Sequence, residues 1–160
     1  MSTGPVLFAY DGSAHAKEAI RRGGAVLRPG PAIVAVAWTT FAGAAPSALL
    51  ALPGNMVDDA VDDLDAASRE TAEELAQEGA ELAAAAGFQV EPRAVRSSGP
   101  FFAAIIHCAD EIDASAIVLG SRGRSRLAAT VLGSVSTGVL HHTQRPVLVV
   151  RDEEHEGHES

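Results

Sequence analysis

Ala116-Ile-Val-Leu119 leads into Gly120-Ser-Arg-Gly123-Arg-Ser-Arg-Leu-Ala-Ala-Thr-Val-Leu-Gly133-Ser134, an apolar run that breaks into a glycine-punctuated loop. The four apolar residues have the length and content of a buried strand. Gly120 and Gly123 then leave the main chain bare beside the strand end, where amide N–H groups can approach a polyanion. A short helix is expected over Leu127–Leu132. Gly133-Ser134 opens another, to about His142, whose first amides have no carbonyl partner within the helix and attract phosphate. The spacing is Gly-x2-Gly-x9-Gly-Ser.

Upstream, Val6–Tyr10 is an apolar run ending in the turn signal Asp11-Gly12-Ser13. Ser13 suits an N-cap for a helix to about Leu27, with Ala16, Ala19, Ile20, Gly23 and Leu27 on one face. Arg28-Pro-Gly-Pro31 stops that helix, and Ala32–Trp38 reads as a second buried strand. Phe41–Met56 reads as a loop. From Val57 an apolar stripe with helical period runs to Gly87, its first turns rich in aspartate that suits the positive end of a helix dipole. Phe88–Val95 is a third strand. Gly99-Pro100 starts a helix with Phe102, Ile105, Ile106 and Ala109 on its buried face. Pro146–Val150 is the last strand. Five apolar strands alternating with helices specify an α/β fold: an open, doubly wound, five-stranded parallel sheet, Rossmann-like, with helices on both faces.

Of 160 residues, 47% are apolar and 21% charged, which suits one soluble domain, taken as residues 1–151. Residues 152–160 carry five acids and no Lys or Arg, and are expected to be a disordered acidic tail. Alanine fills 31 positions and aromatics only 4%, so close approach of helices to the sheet must supply much of the packing. No apolar run approaches the roughly 18–20 residues of a membrane span. The start, Met1-Ser-Thr-Gly-Pro5, lacks the pattern of a secretory signal, so a cytoplasmic location and no membrane partner are expected. One cysteine, Cys108, allows no internal disulfide and no cysteine-based zinc site, and it reads as a small apolar residue. The net charge is −9, and between Asp58 and Glu81 ten acids stand against one base, Arg69. That balance argues against a nucleic-acid partner, while Arg122, Arg124 and Arg126 leave room for a small anion at one basic site.

In a doubly wound sheet, ligands bind outside the carboxyl ends of the strands, which brings the loops after Tyr10, Trp38, Val95 and Leu119 into one crevice. Ser134 and Ser136 add candidate hydroxyl donors there. Asp11 suits Mg²⁺ bridged to phosphate, or an Asx-turn acceptor before Gly12, or both. Arg122 and Arg124 either pair with phosphate or stay in solvent.

Together with Ala9-Tyr-Asp-Gly-Ser13 and Pro146-Val-Leu-Val-Val-Arg151, the stretches Ile117-Val-Leu-Gly-Ser-Arg-Gly123 and Leu132-Gly-Ser-Val135 resemble the universal stress protein family, over about Val6 to Arg151. The resemblance implies an adenine nucleotide alpha hydrolase-like version of this fold and the glycine pattern of the family's ATP-binding members. It implies ATP (or ADP or AMP) with Mg²⁺, Gly120 near the ribose, Gly123, Gly133, Ser134, Val135 and Ser136 at the phosphates, and Asp11 facing the phosphates or the metal. The backbone around Trp38 would meet adenine, its ring serving as a rim aromatic or a stacking surface. It also implies a homodimer through Val147, Leu148, Val149 and Val150. Ser115 departs from the aspartate frequent before the fourth strand in that family.

No Gly-x4-Gly-Lys-Ser/Thr loop occurs, the only lysine is Lys17, and no nucleophile elbow is present. Asp11 is the sole candidate for orienting a hydrolytic water. The expected function is therefore an ATP-binding regulatory protein of the stress-response type, read by a protein partner. A slow Mg-dependent ATPase on the same site and a nucleotide-free interaction module are the alternatives.

Overall fold

The computed structural model describes residues 4–44, 46–51, 53–123 and 132–151. Five strands, β1 (Val6–Ala9), β2 (Pro31–Thr39), β3 (Gln89–Ser97), β4 (Ala116–Gly120) and β5 (Val147–Val150), form one sheet in the order β3-β2-β1-β4-β5. Every pairing is parallel. The helices are α1 (Ala14–Val26), α2 (Phe41–Ala44), α3 (Gly54–Ala85), α4 (Phe101–Glu111) and α5 (Ser134–His142), with a 3-10 turn over Pro46–Ala51. The expected doubly wound sheet is what forms. Residues 124–131, on which most of the helix expected at Leu127–Leu132 falls, and the tail 152–160 lie outside the described residues.

Side chains alternate across a strand, so each strand feeds two layers. Phe8, Val34, Val36 and Val118 pack with Ala16, Ala19 and Ile20 of α1 and Ala72, Ala76 and Ala83 of α3. Leu7, Ile33, Ala35, Ile117 and Leu119 point the other way, onto Ile105, Cys108 and Ala109 of α4 and Val139 of α5. Each of the larger side chains contributes about 1.5–3 kcal/mol by leaving water. The scarcity of aromatics is met by small residues that let helices approach. A Cβ on Gly79 of α3 would stand 2.7 Å from Val34 Cγ1 and 2.9 Å from Tyr10 Cδ1. Burial also pushes the Cys108 thiol up from its usual pKa, against the pull of Arg93.

Two stretches differ from the sequence reading by more than a residue. Phe41–Met56 is not a loop: it holds α2, the 3-10 turn and the start of α3, which Pro53 caps from outside. The Phe41 N–H donates to Asp65 Oδ1 of α3 at 2.6 Å, tying the segment down. The second difference is β3, which continues past Val95 to Ser97 because its ladder with β2 persists through Trp38↔Arg96 and Thr39↔Ser97. The last inward position is the polar Ser97, so the apolar pattern ends at Val95 while burial and main-chain pairing continue. Pro92 is tolerated in β3 because that strand lies at the sheet edge. Among the described residues no helix is long and apolar enough to cross a membrane.

Candidate functional site

β1 and β4 are neighbours, yet β1 runs into α1 on one face of the sheet and the chain after β4 leads to α5 on the other. Their carboxyl ends therefore frame the crevice that such a reversal opens. β2 extends its far wall: β1 ends at Ala9, in register with Ala35, while β2 goes on to Thr39.

Asp11 stands at the mouth. The Tyr10 N–H donates to Ala35 O at 2.9 Å, so the sheet pairing continues to the residue before it. Asp11 Oδ1 accepts from the Ser13 N–H at 2.9 Å across Gly12, whose φ of +80° lies in the left-handed region that favours glycine. Ser13 Oγ accepts from the Ala16 N–H at 3.1 Å as the expected N-cap of α1. The Asx turn aims the other carboxylate oxygen at the glycine loop: a Cβ built on Gly123 would be 2.9 Å from Asp11 Oδ2.

The loop is clamped at both ends. Ser121 N–H donates to Val150 O at 3.0 Å, and Gly133 N–H donates to Ser121 O at 2.7 Å. Gly120 has no room for a side chain, because a Cβ there would meet the His15 carbonyl oxygen at 2.9 Å, and that oxygen is fixed in α1. A Cβ on Gly133 would stand 3.5 Å from the Gly123 nitrogen, so the amide of Gly123 and the start of α5 converge. Gly133 is the N-cap of α5 and supplies no side chain to its first amides. The first intrahelical bond runs from Thr137 N–H to Gly133 O at 2.9 Å, leaving the Ser134, Val135 and Ser136 N–H groups at positions without an intrahelical acceptor.

The candidate residues thus fall into two groups. Asp11, Gly120, Gly123, Gly133, Ser134 and Val135 surround one corner, Ser134 exposed and Val135 half-buried. Arg122 is half-buried in the same loop, whereas Arg124 and Arg126 lie outside the described residues. Ser136 differs in kind: it is buried, and its hydroxyl donates to Gly120 O at 2.7 Å, holding α5 to the end of β4. Trp38 sits near the carboxyl end of β2, half-buried against the α1/α3 layer and in register with Arg96. Sequence reasoning missed Ser121 and the His15 carbonyl. Ser121 is 7% exposed and bonds to both β5 and Gly133, but a serine between Gly120 and Arg122 carries no periodic signal of burial.

Behind Asp11, the buried Tyr10 hydroxyl donates to Glu78 of α3, which also pairs with Lys17 of α1 at 3.6 Å. Burial raises the Tyr10 pKa well above its usual value, the Glu78 hydrogen bond and negative charges adding to it; the same bond lowers the Glu78 carboxyl. A raised folded-state pKa gives stability that is complete below the unfolded value near 10 and is lost as pH rises through the folded one. Tyr10 is the only tyrosine. Absorbance at 295 nm should therefore report no tyrosinate until the chain unfolds in alkali; a reversible native titration near pH 10 would contradict this bonding.

The family model described as "Universal stress protein family" matches residues 3–151. A universal stress protein of Synechocystis sp. is 54% identical over 39 residues, 24% of this chain and 25% of that protein. The matched stretch thus spans about a quarter of that relative's length. A solved universal stress protein in complex with cAMP is 26% identical with a TM-score of 0.60, covering 93% of this chain and 98% of its own. Another, from Archaeoglobus fulgidus in complex with dAMP, shares the fold at 24% identity with a TM-score of 0.59, covering 93% and 98%.

Proposed function

We propose, from the premise that this chain belongs to the universal stress protein family, that it is an ATP-binding regulatory protein whose nucleotide lies in the β1/β4 crevice. The observation that carries the reading is the convergence of the Gly123 amide with the start of α5, opposite the Asp11 carboxylate. Main-chain donors gathered at a helix N-terminus favour a polyphosphate and need no lysine. The cAMP-bound relative supports an adenine nucleotide.

Within this proposal Gly120 and Gly123 give the ribose and phosphates unobstructed backbone, and the amides of Ser134, Val135 and Ser136 cap the phosphates. Ser134 Oγ, being exposed, adds a donor. Asp11 supplies one carboxylate to Mg²⁺; the other ligands come from phosphate oxygens and water, as is usual for this ion. Arg122 answers the remaining charge. The backbone at Trp38 and the carboxyl end of β2 receive adenine. Occupancy acts as a signal to the extent that ATP prefers one arrangement of the glycine loop over another. A regulatory protein partner reads that arrangement.

The same proposal extends to assembly. β5 is an edge strand with Val147, Leu148 and Val149 half-buried, which suits pairing of two copies along Val147–Val150 into a homodimer. Sedimentation should report a dimer, and Val149→Lys should shift it toward monomer; a monomeric wild type would remove this element.

Mass spectrometry of the nucleotide released from purified protein, together with calorimetric titration by Mg·ATP, tests the assignment. A copurifying adenine nucleotide or saturable ATP binding is expected. A protein that carries none and gives no binding heat overturns it.

A further inference from the structure

α3 is longer than the sheet it covers. It runs 32 residues, about 48 Å, but its side chains buried against the strands are Ala72, Ala76, Ala80 and Ala83. Among the described side chains from 54 to 71, none is buried. Eighteen residues make about five full turns, so Val57 lies in line with Leu75 and Leu64 with Leu82. Leu75 packs on the core and Leu82 lines the groove against α1. Lys17 pairs with Glu78 at 3.6 Å, and a Cβ on Gly24 would meet the Ala86 Cβ, so the two helices run parallel. α1 begins at Ala14 and flanks α3 only from about Leu75 onward. The same apolar line continues beyond it through Val57, Val61 and Leu64. This projecting arm is held where Asp65 Oδ1 accepts from the Phe41 N–H at 2.6 Å.

Two properties of the arm define what fits it. Leu64 is 44% exposed, Met56 in the first turn 60%, and Leu50 of the 3-10 turn leading into it 89%. Beside the apolar line stand Asp58 and Asp62 on one flank and Asp59 and Asp63 on the other, all exposed. From 54 to 71 six acids stand against one base, Arg69, which is paired with Glu73 at 2.9 Å. We propose that the arm, from Met56 to Leu64, is the docking surface for a protein partner whose contacting segment is a basic amphipathic helix. The main chain of the arm is engaged in its own helical bonds, so it offers side chains only. A helix with apolar anchors at i, i+3, i+4 and i+7 matches such a stripe. Lys or Arg beside those anchors meets the aspartates on both flanks, which fixes the partner's charge as well as its shape. The same aspartates repel nucleic acid, anionic lipid surfaces and a second copy of this arm. The proposal names a class of partner for the regulatory reading above and rests on that reading only for its consequence; docking itself needs no nucleotide.

The probe is a fluorescein-labelled peptide of about eighteen residues, built from Leu and Lys at helical spacing and read by anisotropy against the full chain. One control scrambles its order so that no apolar face forms, and another carries Glu in place of Lys. At about 50 mM NaCl the amphipathic peptide should bind with a Kd on the order of 10 μM, and both controls at least about tenfold more weakly. Leu64→Asp should weaken binding by roughly fivefold or more, as should changing Asp58, Asp59, Asp62 and Asp63 together to Asn. At about 500 mM NaCl the loss from the Asn variant should fall below about twofold, while that from Leu64→Asp persists. Val26→Asp, at an apolar position 72% exposed at the end of α1, should change nothing. The altered side chains are exposed, so circular dichroism should show every variant folded. A scrambled peptide that binds as well as the ordered one reports adherence to charge alone and overturns the proposal, as does no binding at all or an unchanged Kd in Leu64→Asp. A wild-type dimer that Leu64→Asp dissociates assigns the face to a second copy and also overturns it. Calorimetric titration of the same preparation with Mg·ATP reads the nucleotide site separately, so either reading can fail without the other.

Discussion

Gly123→Val should weaken ATP binding by about thirtyfold, close to 2 kcal/mol, while leaving the thermal midpoint within about 2 °C of wild type. The two expectations have different origins. Gly123 is half-exposed at the crevice and has no left-handed backbone that would strain a branched residue. Folding therefore tolerates the change. The new Cβ, however, would fall 2.9 Å from Asp11 Oδ2, and its methyl groups would extend into the gap facing the start of α5. Either the carboxylate swings away or the side chain fills the volume that a phosphate needs; both remove ground that the nucleotide uses. Gly123→Ala should give a smaller loss, about fivefold, because only the Cβ contact is added. An unchanged Kd in the valine variant would mean that the phosphates do not lie against this loop.

The largest effect on stability is expected from Gly138→Ala. Two forces oppose one another. Alanine favours a helix interior over glycine by about 1 kcal/mol. Overpacking a tight contact costs typically 1–3 kcal/mol, sometimes more. A Cβ on Gly138 would lie 2.2 Å from both Cγ and Cδ1 of Phe102 and 2.8 Å from its Cβ. The Phe102 ring is also stacked on His142, with centroids 5.1 Å apart and planes 7° from parallel, so sliding away breaks that contact. Steric cost wins, and a net loss of about 2 kcal/mol is expected, read as a lower urea midpoint at unchanged slope. Because α5 begins at Gly133, displacing it should also weaken nucleotide binding. Phe102→Ala in the same chain should relieve the clash, making the pair less harmful than the sum of its singles. A Gly138→Ala protein as stable as wild type would contradict the packing of α4 on α5.

Most of the architecture is legible in the residues because the inner strands β1, β2 and β4 are largely buried and read as apolar runs. Ser13 announces α1 through its side-chain cap, whereas Gly133 opens α5 as an N-cap with no side chain. What escapes is set by tertiary pairing. β3 reaches Ser97 only because β2 lies beside it, and α2 closes against α3 through Asp65, a partner 24 residues away. The corner itself is similar. Glycine spacing suggests bare amides, but the convergence of Gly123 with Gly133 depends on Ser121, whose burial no local pattern reveals. Ser136 illustrates the converse. A hydroxyl near a helix start suggests a phosphate donor, and in the fold its proton goes to Gly120 O.

The decisive measurement is a crystal structure of the protein grown with excess Mg·ATP. The β- and γ-phosphates should lie within hydrogen-bond distance of the Gly123 and Ser134–Ser136 amides, with the metal between them and Asp11. Crystals that hold ATP elsewhere, or that leave this corner to solvent or to the chain's own side chains, would contradict the account.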